Sequence, residues 1–125
     1  MEYLLVGVGG FLGANARYIL SGIIAQRVGG DFPFATLVVN VSGSLAIGMI
    51  LGLISERHVT DPAWRQFLVV GFLGGYTTFS SYTFEALALV ETGNWLPAVW
   101  YILASNVVGL AAAYSGMLLA RMLSR

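Results

Sequence analysis

One short stretch of this otherwise apolar chain, GGYTTFSSYTFE at residues 74–85, brings hydroxyl, aromatic and carboxylate side chains together. Serine, tyrosine and asparagine offer O–H and N–H donors, and aromatic rings offer an edge with partial positive charge. Neutral donors and ring edges with few fixed positive charges suit a small, hard anion, which must be held weakly enough to leave again. The candidate groups in the whole chain are Asn40, Phe79, Ser80, Ser81, Tyr82, Tyr101 and Ser105.

Two charged side chains, Arg17 and Glu85, also lie inside apolar segments, where ions are costly and usually functional. Arg17 either snorkels or pairs with another helix, or it draws an anion into a wet vestibule. Glu85 is a proton relay, a cation site or a buried hydrogen-bonded group. Ser81 and Tyr82 lie on its helix face, so either hydroxyl could satisfy the carboxylate. Asn40 is likewise either a hydrogen-bond donor in an ion pathway or a side chain whose hydrogen bonds hold two helices together.

Composition excludes most other classes of protein. The chain has no cysteine and a single histidine, His58, so it lacks ligands for a thiolate or histidine metal cluster. The apolar segments contain no histidine, no cysteine and, well inside a span, only the single acid Glu85, so a hydrolase or metal-dependent mechanism lacks its parts and an enzyme is not expected. Net charge is zero, so nucleic acid is not an expected partner. Hydrophobic residues make up 58% of the chain and charged residues 10%, which makes the lipid bilayer the expected partner.

Four apolar segments must position these groups, and short connections with glycine and proline separate them. Each segment exceeds the ~20 residues that cross a ~30 Å hydrocarbon core. We therefore predict an all-α membrane protein with four transmembrane helices in a single transmembrane domain, residues 1–125. The predicted spans are residues 3–25, 34–55, 64–90 and 95–119.

The third segment, residues 64–90, is too long for one straight helix. It would extend about 40 Å at ~1.5 Å per residue, beyond the hydrocarbon core. We predict that this third helix is broken mid-membrane at residues 74–78, where two glycines precede Thr77 and Thr78. Non-helical backbone at that depth is tolerated only inside protein or beside a cavity. Carbonyl groups freed by the break would bind a cation or line an ion-conduction path.

Arginine and glycine positions bear on orientation and assembly. The positive-inside rule places both termini in the cytoplasm, because the other side carries only Arg27. The arginines on the side of the termini are Arg57, Arg65, Arg121 and Arg125. Small-residue faces, Gly9 with Gly13 and Gly48 with Gly52, allow close helix packing and, together with the buried donors, indicate an oligomer.

Three stretches in register resemble the Fluc (CrcB) fluoride channels, small bacterial membrane proteins that let fluoride leave the cell. The stretches are GGFLGANARY at residues 9–18, FATLVVNVSGSLAIG at residues 34–48 and GFLGGYTTFSSYTFE at residues 71–85. The resemblance implies a multi-pass protein of the bacterial plasma (inner) membrane that gives passive fluoride efflux and protects against fluoride toxicity. It also implies a dual-topology antiparallel dimer with two pores and a central structural Na+.

The resemblance further implies a fluoride pathway. Asn40 matches the asparagine that donates to fluoride, and Phe79 matches the first of two pore phenylalanines. The second of these is a tyrosine here, Tyr82, which keeps a ring edge, so we expect a Tyr82→Phe variant to conduct. The hydroxyl positions of the pathway match Ser80, Ser81, Tyr101 and Ser105.

The remaining matches concern the cation and the charged residues. The backbone carbonyls of Gly74 and Thr77 match those that hold sodium in the family. Arg17 matches the arginine of its first helix, and Glu85 matches the acid of its third. The arginine bias fits poorly with a chain that inserts equally in both directions. The partner is therefore either a second copy or an oppositely oriented homologue.

Two other functions stay open on sequence grounds. A small multidrug-type proton-coupled exporter also has four short spans, but its mechanism needs an acid in the first helix, where this chain has Arg17. A noncatalytic membrane assembly subunit would use Asn40 and the hydroxyl stripes only for packing.

Overall fold

The computed structural model describes residues 1–56 and 61–125 of the chain. Every regular element within those two ranges is helical, which confirms the predicted all-α class. Three helices are long, and a series of shorter ones lies between the second and the last. In chain order the elements are α1 (Glu2–Val28), α2 (Phe34–Glu56), α3 (Pro62–Trp64), a π-helix (Arg65–Leu73), α4 (Gly74–Tyr76), α5 (Phe79–Glu91) and α6 (Trp95–Leu123).

The helices α1, α2 and α6 are each long and apolar enough to cross a membrane. Large apolar side chains project from their outer surfaces, such as Phe11 on α1 and Leu110 on α6, both exposed. Such faces suit lipid or another protein chain rather than water. The chain is therefore a multi-pass membrane protein.

The third apolar segment folds as two helical runs joined by two extended residues. The first run begins at Pro62, where the Asp61 carboxylate accepts a hydrogen bond from the Ala63 amide at 2.9 Å. It continues through the π-helix and α4 to Tyr76. The second run is α5.

The break between the two runs is shorter than predicted. The prediction placed it at residues 74–78, but α4 continues to Tyr76. Only Thr77 and Thr78 are extended, with ψ angles of 159° and 122°. Both are β-branched, which favours an extended backbone. Thr78 then begins α5, because its Oγ1 accepts a hydrogen bond from the Ser81 amide at 3.2 Å.

Small residues let the helices pack closely within one chain. α2 packs along α6, where a Cβ on Gly48 would overlap the Ala113 carbonyl. α1 packs against the π-helix and α4, where a Cβ on Gly13 would overlap the Phe72 carbonyl. These glycine faces are therefore occupied inside the chain, so they give no separate support to an oligomer.

The ends of α2 and α6 lie at the same side of the chain. Arg121 Nε of α6 lies 3.7 Å from Glu56 Oε1 of α2, as an exposed ion pair. The two helices therefore run parallel. Arg57, which entered the predicted orientation, and His58 lie outside the described residues.

Candidate functional site

Asn40 of α2 is bonded to the break through both ends of its side-chain amide. Its Nδ2 donates to the Thr78 carbonyl oxygen at 2.9 Å, and its Oδ1 accepts from the Thr78 amide at 2.8 Å. An asparagine NH2 group carries two hydrogens, so one remains for another acceptor. Asn40 therefore joins two segments of the fold and still has one N–H available as a donor.

An open cavity of about 390 Å³ lies beside this pair. It brings amide, hydroxyl and aromatic side chains of α2, α5 and α6 into one space. Four residues of the predicted fluoride pathway line this cavity, namely Asn40, Phe79, Tyr82 and Ser105, and so do the two residues predicted to hold sodium, Gly74 and Thr77. In this space, the donor cavity, a small anion would meet neutral hydrogen-bond donors.

The rings of Phe79 and Tyr82 lie side by side at the donor cavity. Their centroids are 5.6 Å apart and their planes are inclined by 51°. Phe79 is 76% exposed, whereas Tyr82 is half-buried and meets the Tyr101 ring edge-on at 5.4 Å. These contacts hold the Tyr82 ring in place and leave the Phe79 ring open to a partner or an ion.

Asn106 of α6 also lines the donor cavity, and sequence reasoning assigned it no role. Its Nδ2 donates to the Ile102 carbonyl oxygen at 2.8 Å and to the Tyr82 hydroxyl oxygen at 3.1 Å. Its position directly after Ser105 could have pointed to this role, because an amide side chain beside a predicted pathway residue in a membrane helix needs hydrogen-bond partners.

Glu85 is held by hydroxyls from two other helices, which corrects the partners predicted for it. Thr36 Oγ1 donates to Oε1 at 2.8 Å, and Tyr101 Oη donates to Oε2 at 2.7 Å. The predicted partners, Ser81 and Tyr82, are bonded elsewhere. The reason is that the carboxylate reaches α2 and α6 instead of lying along its own helix face.

These hydrogen bonds change the roles assigned to Tyr101 and Thr36. Tyr101 is fully buried, and its hydroxyl bonds to Glu85 instead of lining the donor cavity. Thr36 was missed as a partner of Glu85, although it lies one helical turn before Asn40 on the same face of α2.

Ser80 and Ser81 cluster around the Thr78 hydroxyl at the start of α5. Thr78 Oγ1 donates to Ser81 Oγ at 3.1 Å, and Ser80 Oγ lies 3.3 Å from Thr78 Oγ1. Ser81 also lines a second cavity of about 550 Å³ together with Arg17 and Glu85. Thr78 lines both cavities, so the break separates the neutral donor cavity from a cavity with two charged side chains.

Arg17 reaches the break from α1. Its Nη1 donates to the Thr77 carbonyl oxygen at 3.3 Å, and the side chain lines the second cavity. Arg17 therefore pairs α1 with the break and lines a cavity at the same time, so the two interpretations offered for it do not exclude each other.

Backbone carbonyls are the groups at the break that could hold a cation. The described part of the chain contains no cluster of His, Cys, Asp or Glu suited to a metal ion. In a continuous helix the Thr78 N–H would bond to the Gly74 carbonyl, but here it bonds to Asn40, so the Gly74 oxygen loses that donor. Carbonyl oxygens suit a hard cation such as Na+. Arg17 competes for the Thr77 oxygen, because its Nη1 donates to that atom.

The chain matches known proteins along nearly its whole length. The model of the family described as CrcB-like protein, Camphor Resistance (CrcB), matches residues 4–117. A protein of Solibacter usitatus (strain Ellin6076) named Fluoride-specific ion channel FluC is 50% identical over 97% of this chain and 99% of its own length. Proteins of that name from Roseiflexus sp. (strain RS-1) and Koribacter versatilis (strain Ellin345) are 46% and 43% identical, over 98% and 96% of this chain and 99% and 95% of their own. The resemblance read from three motifs is thereby confirmed, and the chain belongs to the CrcB family.

Proposed function

We propose that the chain is a fluoride-selective ion channel that lets fluoride leave the cytoplasm passively and so protects the cell from fluoride. The observation that carries the proposal is the 50% identity, over 97% of the chain, to a protein named fluoride-specific ion channel. The donor cavity supports it chemically, because it offers hydrogen-bond donors without a fixed positive charge. A channel carries out no reaction, so the chain is not an enzyme.

Along the proposed pathway, fluoride exchanges water for donors of the protein. The free N–H of Asn40 and the ring edges of Phe79 and Tyr82 meet the ion in the donor cavity. Such neutral groups replace hydration yet release the ion, whereas a buried lysine would retain it. Ser105 adds a hydroxyl in the same cavity, and Ser80 and Ser81 continue the proposed route. Tyr101, whose buried hydroxyl bonds to Glu85, serves this route by supporting the Tyr82 ring beside it.

A second copy of the chain, inserted in the opposite orientation, completes the channel in this proposal. Phe79 is 76% exposed and the donor cavity is open, so its own chain leaves most of a ring assigned to the pore uncovered. A partner packed on this face covers the cavity in both copies, because a twofold interface uses the same surface twice. The third apolar segment, from α3 to α5, is then the fourth membrane crossing of each copy.

A structural sodium ion between the two copies is the remaining part of the proposal. The carbonyl oxygens of Gly74 and Thr77 from each copy would hold it at the break. Asn40 contributes by taking up the Thr78 N–H, which leaves the Gly74 oxygen available. In a bacterium this multi-pass assembly lies in the inner membrane.

Efflux from liposomes tests the proposed function. Purified protein is reconstituted into fluoride-loaded liposomes, and release is followed with a fluoride electrode beside a chloride control. We expect fast fluoride efflux without a proton gradient and much slower chloride efflux. Efflux that requires a proton gradient would indicate the exporter, and no efflux would indicate the assembly subunit, so either result would overturn the proposal.

A dual-reporter fusion at the C-terminus tests the assembly separately. A homodimer of opposite orientations requires both reporters to be active. The sequence has four arginines on the side of the termini, Arg57, Arg65, Arg121 and Arg125, and only Arg27 on the other, which favours one orientation and makes the test discriminating. Activity of a single reporter would replace the homodimer with a pair formed with an oppositely oriented homologue.

A further inference from the structure

The hydroxyl of Tyr82 has a defined hydrogen-bond direction because of Asn106. The Asn106 Nδ2 atom lies 2.8 Å from the Ile102 carbonyl oxygen and 3.1 Å from Tyr82 Oη. A carbonyl can only accept, so the amide atom that faces it is the nitrogen and not the oxygen. The same nitrogen faces Tyr82. Tyr82 Oη therefore accepts this bond, and its own hydrogen points away from Asn106.

That hydrogen is available to a ligand. Within the described residues, the contact with Asn106 is the hydrogen bond found for the Tyr82 hydroxyl, and it uses the oxygen as acceptor. Tyr82 lines the donor cavity together with Asn40 and Ser105. Its ring is held between Phe79 at 5.6 Å and Tyr101 at 5.4 Å, so the hydroxyl stays in place. A hydroxyl that accepts one hydrogen bond is also a stronger donor.

We propose that the Tyr82 hydroxyl is a fluoride-binding donor in the donor cavity and that Asn106 is the positioning residue that turns its hydrogen toward the ion. This inference rests on the proposed function and adds a group to its pathway. The phenylalanine expected here from the resemblance has a ring edge but no O–H. In this chain, fluoride in the cavity meets donors from Asn40, Tyr82 and Ser105.

Saturation of fluoride efflux measures the contribution of the hydroxyl. Tyr82→Phe keeps the ring edge and continues to conduct, but the fluoride concentration that gives half-maximal efflux should rise roughly tenfold, because a hydrogen bond to an ion is lost. Asn106→Leu, similar in size, lets the hydroxyl rotate and should raise that concentration about threefold. In the Tyr82→Phe background, Asn106→Leu should add nothing, because no hydroxyl remains to be positioned.

Asn15→Leu is the matched control for the amide. Asn15 Nδ2 of α1 donates to the carbonyl oxygen of Phe11, four residues earlier, at 2.7 Å, as Asn106 does on α6. The control should leave the half-maximal concentration unchanged. If Asn106→Leu yields no folded protein, Asn106→Ala takes its place with the same expectation.

Initial efflux rates from liposomes at several internal fluoride concentrations give the result. An unchanged half-maximal concentration in Tyr82→Phe would overturn the inference. So would an Asn106→Leu effect of equal size in both backgrounds, since it would show that Asn106 acts without the tyrosine hydroxyl. A wild-type protein that passes no fluoride would overturn the proposed function instead.

Discussion

Asn40 and Thr78 are joined by two hydrogen bonds of opposite direction. The Asn40 amide donates to the Thr78 carbonyl at 2.9 Å and accepts from the Thr78 N–H at 2.8 Å. An extended residue between two helices needs partners for its backbone groups, and α2 supplies them through a side chain. The break and the candidate anion donor are therefore mechanically one unit, because any movement of Thr78 also moves the remaining N–H of Asn40.

Replacing Asn40 with alanine should reduce conduction and destabilise the break together. The variant loses the free N–H and leaves both backbone groups of the half-buried Thr78 without this partner, at about 0.5–1.5 kcal/mol for each hydrogen bond lost. We expect fluoride efflux to fall at least about tenfold and the melting temperature in detergent to fall. Asn15→Ala, which removes an exposed amide from α1, should change neither quantity. Efflux at the wild-type rate from Asn40→Ala would remove Asn40 from the pathway.

Phe79 and Phe84 form a matched pair on α5 for testing the role of an exposed ring. They are 76% and 73% exposed, and their five-residue separation places them roughly 140° apart around the helix. Phe79 lines the donor cavity, whereas Phe84 projects from another face. We expect Phe79→Ala to lower fluoride efflux about tenfold or more, since it removes the ring edge, and Phe84→Ala to retain it. Equal efflux from the two variants would contradict the assignment of Phe79.

Glu85 should contribute to stability through its two hydroxyl partners. In Glu85→Gln one of the two oxygens becomes an NH2 group, which cannot accept, so either Thr36 or the fully buried Tyr101 loses its acceptor. The cost is about 1–3 kcal/mol in the free energy of unfolding. Thermal unfolding in detergent measures it, with Glu91→Gln, at the exposed end of α5, as the control expected to unfold like the wild type. A Glu85→Gln protein as stable as the wild type would show that these bonds contribute little.

Sodium should stabilise the folded assembly if the carbonyls at the break hold it. A ligand that binds only the folded state stabilises it by about 2.7 kcal/mol at a hundredfold excess over its dissociation constant. We therefore expect the melting temperature in detergent to rise with sodium concentration, and potassium at equal ionic strength to have a smaller effect. Melting temperatures that respond equally to sodium, potassium and a large organic cation would leave no role for a specific sodium site.

The helices were predictable because lipid allows few alternatives. An apolar run longer than ~20 residues has to be helical to satisfy its backbone, and the excess length of the third segment required a break. Its position was predicted within a few residues, since both glycines and threonines disfavour a helix. The structure places the break at Thr77 and Thr78, after α4, in which Gly75 packs closely against Gly10 of α1.

The partners within the site were less predictable. For Glu85, hydroxyls on its own helix were as plausible as those on neighbouring helices, and only the packing of α5 against α2 and α6 decides in favour of Thr36 and Tyr101. Asn106 was assigned no role because polar residues along a membrane helix more often serve helix packing than an ion pathway. Its contact with Tyr82 depends on how α5 and α6 pack, which no local pattern encodes.

Glycine faces illustrate the same limit and give a test of the fold itself. A Cβ on Gly13 would lie 2.8 Å from the Phe72 carbonyl carbon, while Gly22 on the same helix has no described atom within 4 Å of such a Cβ. Gly13→Ala should therefore destabilise the chain by roughly 1–3 kcal/mol through overpacking, whereas Gly22→Ala should be neutral or stabilising by up to about 1 kcal/mol. Thermal unfolding in detergent distinguishes them. If Gly13→Ala is as stable as Gly22→Ala, the close packing of α1 on the π-helix is wrong. If Gly13→Ala instead abolishes association between two copies while each chain stays as stable as the wild type, Gly13 lies at an interface between copies.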